Sequence, residues 1–138
     1  MPKIGTWEPC AGWKAQQITA FSVPKGDKPT KMHLKKIPAK VFGMLAIHEA
    51  FEGDAWPDGY NICHLPTKYR LLTVTSEADA QRIAEKVLEE YGPLFEESDL
   101  DVIRAAAPPT LVSWLKDCEK VGAWTEWIPF VLLLVLTF

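Results

Sequence analysis

The sequence predicts an α+β fold, in which an antiparallel sheet of four to five strands from the N-terminal half is covered by two to three helices. Segments with strand-like alternation come in a run before residue 75, and segments with helical periodicity come in a run after it. Such segregation is typical of α+β proteins. The 138 residues, of which 48% are hydrophobic, match the size and composition of one globular domain, 1–138.

Alternating residues and turn signals place the first strands. The segment 12–24 alternates between two faces and ends at Pro24, after which a polar loop follows. The segment 32–51 is apolar and β-branched over its second half. We expect Pro38 to divide this segment into two strands, because proline has no N–H to contribute to an interior ladder.

A hairpin is predicted from Tyr60 to Val74, after a region rich in turn residues at 53–59. Around a short Pro-Thr-Lys reversal, the residues of each arm alternate between two faces: Tyr60, Ile62 and His64 against Asn61, Cys63 and Leu65, and Tyr69, Leu71 and Thr73 against Arg70, Leu72 and Val74. Cys63 and His64 are adjacent in the first arm, and neighbouring strand residues point to opposite faces of a sheet. We therefore do not expect Cys63 and His64 to act as one reactive pair.

The first helix is predicted over 77–91. Ser76 is in position to cap it, Asp79 lies three residues later, and Gly92 followed by Pro93 ends it. One stripe of the helix is apolar with a period of 3.6 residues. Its members are Ala80, Ile83, Ala84, Val87, Leu88 and Tyr91.

Two further helices follow. Ser98 with Asp101 three residues on predicts a helix that stops before Pro108. The segment 110–121 has apolar residues on one helical face, and Gly122 closes it.

The C-terminal segment 127–138 is uncharged and strongly apolar. As a helix it would rise only about 18 Å, which is too short for a hydrocarbon core of roughly 30 Å, so we expect no membrane span. Continuous apolar character favours a strand covered on both faces. The alternatives are a contact between copies of the chain, giving a homo-oligomer, and a contact with a membrane surface.

Charge is distributed unevenly along the chain. Residues 1–47 carry eight lysines and two acidic residues, whereas the rest carries seven basic and sixteen acidic residues. A molecule with one basic end and one acidic end can bind nucleic acid through the basic end. Alternatively, its acidic surface can imitate nucleic acid. It can also arise from basic strands and acidic helices that screen each other.

The acidic helices and the tryptophans predict a protein-binding surface. A field of carboxylates can dock on a basic groove, and tryptophan is enriched at the centres of interfaces. The candidate partner-binding residues are Glu85, Glu89, Glu90, Glu96, Glu97, Trp56, Trp124 and Trp127. Phage and mobile-element inhibitors of nucleic-acid-processing systems include small proteins of this general type, which makes an inhibitor the specific form that we expect.

Nucleic-acid binding is the alternative function. The lysine-rich region 25–40 contains no arginine, the residue that best forks onto phosphate. Its lysines could nevertheless follow a phosphate backbone beside aromatic residues. The candidate residues are Lys25, Lys28, Lys31, Lys35 and Lys36.

A small hydrolase built on Cys63 with His48 or His64 is the remaining alternative, since a thiolate nucleophile needs an adjacent base. No spacing brings these residues together, and the cysteines and histidines lack the close pairs of a zinc site. We therefore expect no enzyme, no metal and no cofactor. Three widely spaced cysteines also argue against a secreted disulfide framework, which makes the cytoplasm the expected location.

Overall fold

The strands form one antiparallel sheet in chain order. The computed structural model describes residues 12–22 and 33–126. The strands of these ranges are β1 (Lys14–Ser22), β2 (His33–Phe42), β3 (Leu45–Glu49), β4 (Tyr60–His64) and β5 (Arg70–Val74). Each strand pairs antiparallel with the next one along the chain. The predicted α+β fold with a sheet of four to five strands is confirmed.

Helices cover one face of the sheet. They are α1 (Glu77–Tyr91), a 3-10 helix (Gly92–Glu96), α2 (Leu100–Ala106) and α3 (Pro109–Val121). Helix α1 packs on β3, β4 and β5, and α3 packs on β5. The predicted cap of α1 is confirmed, because the Ser76 hydroxyl accepts a 3.2 Å hydrogen bond from the Asp79 backbone N–H. Among the described residues, no helix combines the length and the apolar character needed to cross a membrane.

The boundary between the second and third strands differs from the prediction. Strand β2 continues through Pro38, and the chain reverses at Gly43, where φ is +58°, so that Phe42 pairs with Leu45. Our placement of the break at Pro38 is wrong. Strand β3 pairs with β2 only from Lys40 onward, so β2 has one neighbour at Pro38 and the missing N–H can face the open edge.

Two apolar clusters lie on opposite faces of the sheet. The larger cluster joins the inner face of the sheet to the helices, and its sheet members include Leu45, Ile47, Ile62, Leu72 and Val74. The smaller cluster lies on the other face and consists mainly of small side chains from four strands: Ile18, Ala20, Ala39, Ala46 and Cys63. The two sets follow the alternation of strand residues between faces.

Some predictions concern residues outside the described ranges. The C-terminal segment 127–138, expected as a covered strand or a contact between copies, lies outside them, and so does most of the loop expected after Pro24.

Candidate functional site

His64 has a structural role at the helix-covered face. Its Nε2–H donates to the Phe95 carbonyl oxygen at 2.6 Å, and its Nδ1 accepts from the Thr67 hydroxyl at 2.9 Å. Both ring nitrogens therefore have partners in the neutral imidazole. Burial lowers the pKa of His64, and the Phe95 carbonyl only partly opposes that shift. The side chain ties β4 to the 3-10 helix.

Cys63 lies on the face opposite to His64, as the strand alternation predicts. Burial raises the pKa of its thiol to about 12, and the Lys68 charge only partly offsets this. Burial also raises the pKa of Cys118, against hydrogen bonds with Thr125. Thiols of this kind stay protonated at neutral pH and are weak nucleophiles.

A row of buried polar side chains crosses β3, β4 and β5 on the same face as Cys63. His48 lies opposite Asn61, and Asn61 lies opposite Thr73. All three are at most 1% exposed. The Nδ1–H of His48 donates to the Glu49 carbonyl oxygen at 2.7 Å, and burial lowers the pKa of this histidine.

Asp54, from the loop between β3 and β4, connects this row to the backbone. Its Oδ2 accepts from the Phe51 backbone N–H and from the Asn61 side-chain amide, both at 2.7 Å. The Asn61 side-chain oxygen accepts in turn from the Thr73 hydroxyl at 2.7 Å. Because buried polar groups need partners, these bonds stabilise the buried side chains of Asn61 and Thr73.

Arg70 closes the network at the edge of β5. Its Nε lies 3.5 Å from Asp54 Oδ1, and its Nη1 donates to the Thr73 hydroxyl at 3.0 Å and to the Glu119 carboxylate. Glu119 also accepts from the Thr73 backbone N–H at 2.9 Å. Arg70 thus pairs with two carboxylates, those of Asp54 and Glu119. No local pattern in the sequence predicts this network, because its members come from four separate segments.

Two predicted partner anchors make internal contacts. The Trp56 indole N–H donates to the Glu119 carbonyl oxygen at 2.7 Å. The ring of Trp124 lies edge-on to Trp114, with centroids 5.1 Å apart, and the Arg82 guanidinium lies 4.0 Å from its centroid. Trp127 lies outside the described residues. The rings of Trp56 and Trp124 are half-buried, so contacts within the protein already cover much of their surface.

The predicted carboxylates divide into two groups. Glu85, in the middle of α1, makes an internal contact: its carboxylate accepts a 2.9 Å hydrogen bond from the Trp13 indole N–H. The pKa of Tyr60 is raised to about 12 by burial and by the nearby Glu77 carboxylate. The same carboxylate is the hydrogen-bond partner of Tyr60. The start of α1 therefore faces the sheet.

The other predicted carboxylates are Glu89, Glu90, Glu96 and Glu97, and Asp99 and Asp101 follow them along the chain. We call these six residues the acidic end of the molecule. It runs from the last turn of α1 through the 3-10 helix to the start of α2. Glu90 pairs with Lys86 at 3.1 Å, and within the described part of the chain no cation pairs with the other five. Residues 87–103 contain no lysine, arginine or histidine.

Only two of the candidate nucleic-acid-binding lysines lie within the described residues. Lys35 and Lys36 are exposed neighbours on β2, and Lys35 Nζ lies 5.7 Å from the centroid of the Phe51 ring. As neighbours on a strand they project to opposite faces, so these two do not share one surface for a phosphate backbone. Lys25, Lys28 and Lys31 lie outside the described ranges.

A cavity of about 340 Å³ lies between the turn joining β4 to β5, the 3-10 helix, α2 and α3. Its wall is mainly apolar and includes Leu94, Phe95, Leu100, Ile103, Leu111 and Leu115. The volume is at the lower end of the range for small-ligand sites. We call this space the apolar cavity.

Comparison with known proteins gave no match to a protein family, to a curated protein or to a solved structure. Within residues 12–22 and 33–126, no three histidine, cysteine or acidic side chains are grouped so as to hold a metal ion.

Proposed function

We propose that this chain is a non-catalytic binding protein that contacts a basic surface of a protein partner through its acidic end. The observation that carries the proposal is the concentration of five carboxylates without a cationic partner, among the described residues, in a segment free of basic residues. A single-sign field of this kind steers association with an oppositely charged surface. A groove that holds nucleic-acid phosphates is such a surface, so inhibition of a nucleic-acid-processing protein is the specific form of the proposal.

The candidate catalytic residues support a binding function over hydrolysis. Cys63 has a raised pKa, and the hydrogen bonds of His64 use both of its ring nitrogens. His48 is buried and its pKa is lowered. Cys63 and Cys118 are free thiols, which is consistent with a reducing compartment such as the cytoplasm, our proposed location.

A matched pair of charge variants tests the acidic end. The first carries Glu89→Gln, Glu90→Gln and Glu96→Gln, all at exposed positions. The control carries Glu52→Gln, Asp117→Asn and Glu126→Gln, which remove the same charge from exposed positions elsewhere. The tagged full chain and both variants are used to capture partners from a lysate of the native host, with and without nuclease.

We expect wild type and control to retain the same protein after nuclease treatment, and the acidic-end variant to retain roughly tenfold less of it, a loss of about 1.4 kcal/mol in binding free energy. Equal losses in both variants would show that only net charge matters, which contradicts the proposal. A partner that disappears with nuclease, and whose binding weakens steeply between about 50 and 200 mM salt, would favour the nucleic-acid alternative through the lysine-rich region.

A further inference from the structure

The charged side chains at the wall of the apolar cavity all have the same sign. They are Arg70 and Arg104, and none of the described residues that line the cavity is a carboxylate. The rest of the wall is mainly apolar. An occupant that complements this wall is therefore apolar over most of its length and negatively charged at one end.

Arg104 is the lining cation that can pair with such an occupant. Arg70 already pairs with Asp54 and Glu119. Arg104 is exposed, and in the ranges that the structure describes no carboxylate forms an ion pair with its guanidinium. That guanidinium lies 6.0 Å from the centroid of the Tyr69 ring, and Tyr69 also lines the cavity. The cation therefore stands at the cavity wall, where the charged end of a ligand can reach it.

The volume of the cavity limits the size of the occupant. At roughly 30 Å³ for each non-hydrogen atom, 340 Å³ accommodates about eleven atoms. Octanoate is slightly smaller than this and decanoate is slightly larger. His64 and Thr67 line the cavity but hydrogen-bond each other, so the wall offers few partners for a second polar group on the ligand.

We propose that the apolar cavity binds the carboxylate form of an unbranched, medium-chain fatty acid. The hydrocarbon chain lies against the leucine, isoleucine and phenylalanine side chains of the wall, and the carboxylate pairs with Arg104. A guanidinium and a carboxylate can form two parallel hydrogen bonds, which would fix the orientation of the ligand. This inference goes beyond the proposed function, because it assigns a small-molecule site to a wall that the acidic end does not line.

Three ligands of equal chain length test the charge preference of the cavity. Decanoate, decan-1-ol and decyltrimethylammonium are titrated into the full chain by calorimetry, at about 0.15 M salt so that distant surface charges are screened. We expect decanoate to bind with a dissociation constant of about 100 µM or less. It should bind at least about fivefold more tightly than the alcohol and at least about tenfold more tightly than the ammonium ion.

Replacements of Arg104 test the contact with the carboxylate. Arg104→Gln should raise the dissociation constant of decanoate at least about fivefold and leave that of decan-1-ol within about twofold. Arg104→Lys keeps the charge and should restore part of the lost affinity. The matched control is Lys120→Gln, which removes the same charge from an exposed position on α3 outside the cavity lining. It should leave decanoate binding within about twofold.

Filling the cavity tests the site of the hydrocarbon chain. Ala107→Phe fills it, because Ala107 lines the cavity in an extended conformation that phenylalanine also adopts. The dissociation constant of decanoate should rise at least about tenfold. Val102→Phe is the control, since Val102 is 48% exposed on α2 and does not line the cavity. If Ala107→Phe does not fold, Val112→Phe provides the filling variant, because Val112 lines the cavity and is 38% exposed.

Several results would overturn the inference. They are the absence of decanoate binding, equal or tighter binding of the ammonium ion, and decanoate binding that neither Arg104→Gln nor a filling variant weakens. Equal affinities for decanoate and decan-1-ol would show that the cavity takes apolar chains without pairing a carboxylate, which also contradicts the proposal. The capture of a protein partner by the acidic end is measured separately, so these results leave the proposed function standing.

Discussion

The indole N–H of Trp13 donates a 2.9 Å hydrogen bond to the Glu85 carboxylate and so joins the start of β1 to the middle of α1. The two residues are 72 positions apart. Trp13 is 3% exposed, so this bond forms at the edge of the core. Because the Glu85 carboxylate accepts this internal hydrogen bond, it is less available to a binding partner.

A double-mutant cycle should detect this bond. Trp13→Phe and Glu85→Gln are each expected to destabilise the protein, with a coupling free energy of about 1 to 2 kcal/mol, because the bond involves a charged acceptor. Urea unfolding measures the four proteins of the cycle. Glu89→Gln, exposed on the same helix, should change the free energy of unfolding by less than about 0.5 kcal/mol. Strict additivity of the two changes would contradict the assignment.

Thr73→Val should destabilise the protein by about 1 to 3 kcal/mol. The change keeps the side-chain shape but removes the hydroxyl that donates to Asn61 and accepts from Arg70. Thr19→Val, at a half-buried position on β1, is the matched control and should have a much smaller effect. Equal effects in chemical denaturation would show that the polar row does not depend on this hydroxyl.

Two glycines should respond in opposite directions to alanine. Gly122 has φ of +73°, and a Cβ there would lie 2.7 Å from Thr75 Cγ2 and 2.8 Å from Trp56 Cε2. Gly122→Ala is therefore expected to cost at least about 1 kcal/mol. Gly92 has right-handed helical geometry and open space at its Cβ, so Gly92→Ala should stabilise by about 0.4 to 1 kcal/mol. Thermal unfolding of both variants checks the contrast, and a stabilising Gly122→Ala would refute it.

Stability should fall as pH drops below about 6.5. Burial lowers the pKa of both His48 and His64, so in this range the unfolded chain binds protons that the folded protein does not. This stabilisation is complete above the unfolded pKa and is lost as pH falls toward the lowered folded values, with a slope of up to about 1.4 kcal/mol per pH unit for each histidine. Urea unfolding between about pH 7.5 and 5.5 measures the slope.

Single replacements measure the contribution of each histidine to the pH dependence of stability. His48→Gln and His64→Gln should each reduce the pH dependence of stability. An unchanged slope in both buried-site variants would mean that other groups cause it.

Cys63 should resist alkylation in the folded protein. With a pKa of about 12, only about one thiol in ten thousand is ionised near pH 8, and the side chain is 1% exposed. Iodoacetamide labelling read by peptide mass spectrometry should modify Cys63 only after unfolding in guanidinium chloride. A cysteine placed at the exposed position Ser113 should react at once. Rapid native labelling of Cys63 would revive the hydrolase alternative.

The sequence by itself determined the elements whose signals are local. Helix α1 runs from Glu77 to Tyr91 as predicted, because the Ser76 cap and the 3.6-residue stripe act within a few residues of the helix. Gly92 does not form the left-handed cap typical of glycine, because its geometry is right-handed and it begins the 3-10 helix. The separation of Cys63 from His64 was likewise predictable, since it needs only the alternation of side chains along a strand.

Tertiary structure decided the features that depend on pairing between distant segments. The break between β2 and β3 falls at Gly43 because Phe42 pairs with Leu45 and the other side of β2 is open at Pro38, which no local signal reports. The partners of Arg70 come from positions 54, 73 and 119. The apolar cavity likewise exists only where α2 and α3 pack beside the turn from β4 to β5. Burial and hydrogen bonding depend on which atoms lie close together in space. Once the sheet has formed, those atoms can belong to residues that are far apart in the sequence.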